Sequence, residues 1–101
     1  MKTISLNQYN STFRIEGDED TRSLTIASVT VNNATDNGAV LKLTVLDEKD
    51  IPIYNKLLKP EEVEEKDLIK VGERFVFYDH LSVRVEGEQP GTAFSVIVHY
   101  K

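Results

Sequence analysis

The chain is predicted to fold as an all-β protein: an antiparallel β-sandwich, immunoglobulin-like or jelly-roll-like, with about seven to nine strands. Three observations predict this. Apolar and polar residues alternate with period two through most of the sequence. Clusters of Gly, Pro, Asn and Asp recur at the spacing that separates short strands. Helical periodicity is nearly absent, with no heptad seam and no repeat of solenoid length.

The elements follow in order. Ile4 and Leu6 alternate with Thr3 and Ser5, so residues 1–8 read either as an N-terminal arm or as an edge strand. Phe13 and Ile15 alternate with Thr12 and Arg14 and form a second strand, ended by the acidic turn Gly17-Asp18-Glu19-Asp20. Leu24–Asn33 is a long strand whose apolar positions change parity, from Leu24 and Ile26 to Val29 and Val31. A bulge near Ala27-Ser28 accounts for that switch, and burial on both faces is the alternative. Asp36-Asn37-Gly38 carries a strong hairpin signal, because Asn and Gly tolerate the positive φ of a type I′ turn. It predicts that Leu24–Asn33 pairs with Val40–Leu46.

Asp47-Glu48-Lys49-Asp50 is a charged loop, and Ile51–Leu58 is a strand whose Pro52 belongs at a sheet edge. At Lys59–Asp67 the pattern breaks. Pro60, Glu61 and Glu62 suit one helical turn, with acidic groups at its positive end. Leu68–Val71 reads as a short strand, Gly72 as a turn and Phe75–Phe77 as the start of a further strand. Leu81, Val83 and Val85 alternate with polar neighbours, then Gly87-Glu88-Gln89-Pro90-Gly91 turns the chain. Phe94, Val96, Val98 and Tyr100 share one face of the last strand. Leu41, Leu43, Val83, Val85, Val96 and Val98 are the predicted core.

With 101 residues and 11.4 kDa, the chain is one domain, residues 1–101. Seventeen acidic against twelve basic residues give a net charge of -5. Nucleic acid is therefore not an expected partner, since phosphate neutralisation needs surplus Lys and Arg. With no cysteine, disulfide scaffolds, thiolate metal sites and Cys nucleophiles are excluded. No apolar stretch of signal-peptide length follows Lys2, and runs such as Phe75–Tyr78 are too short for a bilayer, so no membrane partner is expected.

The residues that could carry chemistry are few. Asp79 and His80 lie beside Ser82, but sequence neighbours on a strand point to opposite faces, which a catalytic triad does not tolerate. His99 alternates with Val98 and Tyr100 and is expected to face solvent or a neighbouring subunit. Two separated histidines make a poor zinc site. Asp18, Glu19 and Asp20, and likewise Asp47, Glu48 and Asp50, are loop carboxylates of a kind that bind Ca²⁺, but neither has EF-hand spacing. Glu61–Asp67 carries five carboxylates and one Lys, and reads as a solvated acidic segment that guards an edge. Phe75 and Phe77 share a face and read as core, with Tyr78 on the other side. No catalytic residue, metal ligand or cofactor is assigned, and the chain is not expected to be an enzyme.

Four segments carry a resemblance. They are Ile26-Ala27-Ser28-Val29-Thr30-Val31-Asn32-Asn33, the alternating Val40-Leu41-Lys42-Leu43-Thr44-Val45, then Asp79-His80-Leu81-Ser82-Val83, and the final strand Ala93–Tyr100. Their plan is similar to that of small bacteriophage virion structural proteins with a β-sandwich fold, over about three-quarters of the chain. Two positions depart from it. Tyr78 stands where a Gly commonly precedes the Asp, and Phe13-Arg14-Ile15 replaces a Tyr-x-Val-x-Ala strand. The resemblance implies a non-enzymatic capsid accessory (decoration) protein or a head–tail or tail attachment component. It would be made in the host cytoplasm and carried in the virion, with capsid or tail proteins and copies of itself as partners, as a homo-oligomer or part of a larger assembly. The alternative is a carbohydrate-binding or adhesin-type module, for which exposed Tyr near Asp and Asn at a loop end is the distinguishing feature.

Overall fold

The computed structural model describes residues 2–20, 22–31, 40–58, 68–87, 91 and 93–101. Eight strands are present among them: β1 (Lys2–Asn7), β2 (Thr12–Glu16), β3 (Ser23–Val31), β4 (Leu41–Leu46), β5 (Pro52–Leu58), β6 (Leu68–Val76), β7 (His80–Gly87) and β8 (Ser95–Tyr100). They form two four-stranded sheets, ordered β1-β8-β3-β6 and β2-β7-β4-β5, and every ladder is antiparallel.

The order has a simple logic. β4 and β5 form a hairpin, and β3 pairs with β6, β2 with β7 and β1 with β8. Each pair lies one strand further out along the chain, and successive pairs fall alternately into the two sheets. One long antiparallel ribbon is thus wound around a common core, which is a jelly roll. An immunoglobulin-like sandwich pairs several strands with their chain neighbours. Here, among the described strands, only β4 and β5 do so.

This winding overturns the pairing expected from Asp36-Asn37-Gly38. β3 does not pair with β4. Its two edges are taken by β6 and β8, and β4 lies in the opposite sheet between β5 and β7. The turn itself lies outside the described residues, as does the helical turn expected at Pro60–Glu62.

The parity switch in β3 is the bulge the sequence asks for. Ile26 pairs with Tyr100, yet Ser28 pairs with His99, so Ala27 is an extra residue against β8. Leu24, Ile26 and Val29 consequently all reach the core. Against β6 the extra residue falls on the other strand: Ile26 opposes Glu73 and Ser28 opposes Lys70. Gly72 sits in this irregularity with φ of 66°, a left-handed conformation that suits glycine. The expected turn at Gly72 between two short strands is therefore a bulge within one nine-residue strand.

The predicted core is in place. Leu41 is 1% exposed, and Leu43, Val83, Val85, Val96 and Val98 are fully enclosed. Phe75, Phe77 and Phe94 join them, and Tyr78 is on the outside. Residues 2–7 run along β8 as an edge strand, from Lys2 opposite Tyr100 to Asn7 opposite Ser95. Leu6 is buried in the core, so this strand is part of the sandwich and not a free arm. Two aromatic pairs close the flanks between the sheets. Phe13 of β2 stacks on Tyr100 of β8 at 5.5 Å, and Tyr54 of β5 meets Phe75 of β6 edge-on at 5.4 Å.

Candidate interaction surfaces

The winding sorts the connections to two ends. The β2–β3, β4–β5 and β6–β7 connections share one end, and the β1–β2 and β7–β8 connections share the other. Both described acidic loops therefore lie at the first end, and in each the first aspartate, Asp18 or Asp47, shapes its own loop. Asp47 Oδ1 accepts the amides of Lys49 and Ile51, each at 2.9 Å, which shapes the β4–β5 loop. Asp50 completes this loop with φ of 59°. Asp18 Oδ1 accepts the Asp20 amide at 2.8 Å, and the Asp18 carbonyl accepts from Arg22 Nε at 3.2 Å. Among the described residues no three His, Asp or Glu side chains converge as metal ligands would.

At this end Tyr78 is 74% exposed, and the Arg22 guanidinium lies 5.0 Å from its ring centroid. Next to it, His80 Nδ1 is 2.9 Å from Asp79 Oδ2, so these sequence neighbours do meet, contrary to the expectation from strand alternation. Asp79 precedes the strand, which frees its side chain to turn toward the ring. Ser82 stands one alternation further along β7, in register with Arg14 and Leu46. The His80 nitrogen that meets Asp79 is Nδ1, and among the described residues no hydrogen bond joins the ring to Ser82. His99 lies on the outward face of β8, half-buried, and shares a 2.7 Å hydrogen bond with Thr30 Oγ1.

The outward face of the β2-β7-β4-β5 sheet mixes charge with apolar surface. Arg14 pairs with Glu16 at 2.7 Å, and Arg84 lies 3.7 Å from Glu86. Thr44, opposite Arg84, is 3% exposed. The Thr44 hydroxyl and Arg84 Nε are buried without a hydrogen-bond partner among the described residues. On β5, Ile53 and Leu57 are about half exposed, with Ile51 just before the strand. Leu57 borders a shallow depression with Lys42 and Glu86. The sequence predicts a strand over Ile51–Leu58 without assigning its faces, so these outward apolar residues are not among its candidate sites. Their signal is the alternation of Ile51 and Ile53 with Pro52 and Tyr54.

At the opposite end, Asn7 Oδ1 accepts the amides of Tyr9 and Asn10 at 2.8 and 2.9 Å. This tight turn leaves Tyr9 90% exposed. The Glu61–Asp67 segment lies outside the described residues. No helix of the described residues is long and apolar enough to cross a membrane.

Neither a protein-family model nor a curated protein sequence matches the chain. Solved structures do share its fold. The Drosophila NLP core, studied for pentamer formation and histone binding, is similar with a TM-score of 0.66 at 15% identity, over 99% of this chain and 96% of that one. A capsid structure of Helicobacter pylori bacteriophage KHP30 gives a TM-score of 0.46 at 8% identity, covering 98% of this chain and 90% of that one. TehB from Haemophilus influenzae gives 0.43 at 14% identity, covering 98% of this chain and 29% of that one. The first of these is a likeness of fold.

Proposed function

We propose that this chain is a non-enzymatic structural protein of a bacteriophage virion, either a capsid accessory (decoration) protein or a head–tail or tail attachment component. The observation that carries the reading is the completed jelly-roll winding of the same strands whose sequence plan resembles small virion proteins. Jelly rolls serve as capsid domains, which is an analogy at the level of fold. The polar groups best suited to chemistry support a non-catalytic role. Asp47 shapes its own loop, and His99 bonds to Thr30. Self-association belongs to the same reading, since the Drosophila core with this fold forms pentamers. The net charge of -5 disfavours DNA as the partner. The protein is made in the host cytoplasm and carried in the virion. Proteomics of purified virions tests this. The chain should be found at a fixed ratio to the capsid or tail proteins, and its consistent absence overturns the reading.

One observation favours a second reading, a carbohydrate-binding or adhesin-type module. Tyr9 is 90% exposed at a loop end beside Asn7 and Asn10. An aromatic face flanked by amides suits a sugar ring. Glycan-array binding that Tyr9→Ala abolishes would establish this role, and a blank array would exclude it.

A further inference from the structure

The sandwich has four edge strands, β1 and β6 on one sheet, β2 and β5 on the other. Three of them carry features that discourage strand addition. β5 begins at Pro52 and turns Lys56 toward the core side, opposite Leu43. β6 is broken by the Gly72 bulge and carries Glu73 and Arg74 beyond it. β2 is only five residues long and carries the Arg14–Glu16 ion pair. β1 differs. Its six residues keep unbroken register with β8, contain neither Pro nor Gly, and hold one charge, Lys2, at the end.

The free backbone groups of β1 can be identified. Asn7 donates to the Asn10 carbonyl at 3.0 Å and accepts from the Asn10 amide at 3.1 Å, so its groups point away from β8. Backbone groups alternate sides along an antiparallel strand, so those of Thr3 and Ser5 also point away from β8. The far side of β8 agrees. Lys101 exchanges hydrogen bonds with Thr25 of β3, which leaves Tyr100, Val98 and Val96 to serve Lys2, Ile4 and Leu6. Asn10 covers Asn7 and closes one end. Among the described residues, what remains is a short open window at Thr3 and Ser5.

We propose that this window pairs with the same window of a second copy, making a two-fold dimer with Ile4 on the axis. Thr3 then exchanges N–H···O=C bonds with Ser5 of the partner subunit, and Ser5 does so with Thr3 of the partner subunit. This register is the one that suits the charges and the Asn10 cap. Lys2 falls opposite Leu6 of the partner subunit, so no like charges are opposed, and each Asn10 stays beyond the paired window. Ile4, already packed against the core margin, meets its symmetry mate. The two sheets become one across the dimer, with main-chain hydrogen bonds supplying the affinity, as in strand addition generally.

The proposal rests on the self-association in the proposed function, and the tests separate the two. Analytical ultracentrifugation of the full chain should show a concentration-dependent dimer. Ser5→Pro removes an outward amide without touching the β8 ladder. It should weaken the dimer at least about tenfold, as expected from losing the hydrogen bonds of one or two donors, with an unchanged thermal midpoint at concentrations where both chains are monomeric. Because the chain has no cysteine, Ile4→Cys gives a second readout. Residues facing each other on the axis have Cα atoms about 4.5 Å apart, within disulfide range. Ile4→Cys should cross-link as a dimer under mild oxidation, far faster than Val76→Cys, which is 70% exposed on β6. A wild-type chain that stays monomeric, or Ile4→Cys that cross-links no faster than Val76→Cys, overturns the pairing. Finding such a monomer in virions would leave the virion role standing, and a dimer absent from virions would do the reverse.

Discussion

The amide of Gly17 donates to the carbonyl of Asp79 at 2.7 Å, tying the end of β2 to the connection before β7. This approach leaves little room for a side chain. A Cβ at position 17 would stand 3.0 Å from the carbonyl oxygens of both Tyr78 and Asp79, and 3.3 Å from Phe77 Cε2. Two of these neighbours are backbone and cannot swing aside. Gly17→Ala should therefore destabilise by about 1–3 kcal/mol, the range for overpacking a tight site. Gly72 is the contrasting case. A Cβ there meets nothing within 4 Å, but φ of 66° is left-handed, so Gly72→Ala should cost about 1–2 kcal/mol through the backbone alone. Urea denaturation measures both, and an unshifted midpoint for Gly17→Ala would contradict the packing described.

Leu43 is fully enclosed in the centre of β4, between Val85 of β7 and the inward side of Lys56 on β5. Leu43→Ala should cost about 2–5 kcal/mol, from lost transfer energy and the cavity left behind. The thermal or urea midpoint should fall accordingly, without a change in the urea slope.

The core and the edge position of β5 were legible in the sequence because they depend on local pattern. Alternation places Leu41, Leu43, Val83, Val85, Val96 and Val98 on one face, and Pro52 excludes a central strand. The bulge at Ala27 was equally legible, since a one-residue slip changes which face every later apolar residue reaches. The pairing of β3 was not. An Asn-Gly turn reverses the chain equally well whether the returning strand pairs with its neighbour or crosses to the opposite sheet. What decides is that β6 and β8 occupy both edges of β3, and these partners are some forty to seventy residues away in sequence. The Asp79–His80 contact and the outward face of β5 escaped for a different reason. Both depend on where a strand begins, to within one residue.

Asp47 organises the β4–β5 loop as an acceptor, receiving the Lys49 and Ile51 amides on one oxygen. Its own amide donates to the Ile51 carbonyl at 3.0 Å. Asp47→Asn keeps a side-chain oxygen at this position and should be close to neutral. Asp47→Ala leaves two loop amides without that acceptor and should cost about 1–2 kcal/mol. Amide hydrogen exchange should show Lys49 and Ile51 losing protection in Asp47→Ala and retaining it in Asp47→Asn.

Tyr54 gives the fold an alkaline limit. Burial at the flank between β5 and β6 raises its phenol pKa above the ordinary value of about 10, and the nearby Glu73 carboxylate raises it further. The unfolded chain provides neither effect. A folded pKa above the unfolded one means that the folded state favours the protonated phenol. This contribution is fully present below about pH 10 and is lost as pH rises through the folded pKa. Tyr54→Phe removes the titration but keeps the ring against Phe75. The stability difference between wild type and Tyr54→Phe should thus be constant below about pH 10, and should move in favour of the variant above it. Glu73→Gln removes the second cause and should bring the alkaline loss closer to that of a purely buried tyrosine. Urea midpoints measured across the alkaline range, with ultraviolet titration of the tyrosines, check both expectations. A difference that stays flat through the alkaline range would show that Tyr54 ionises as freely in the folded chain as in the unfolded one.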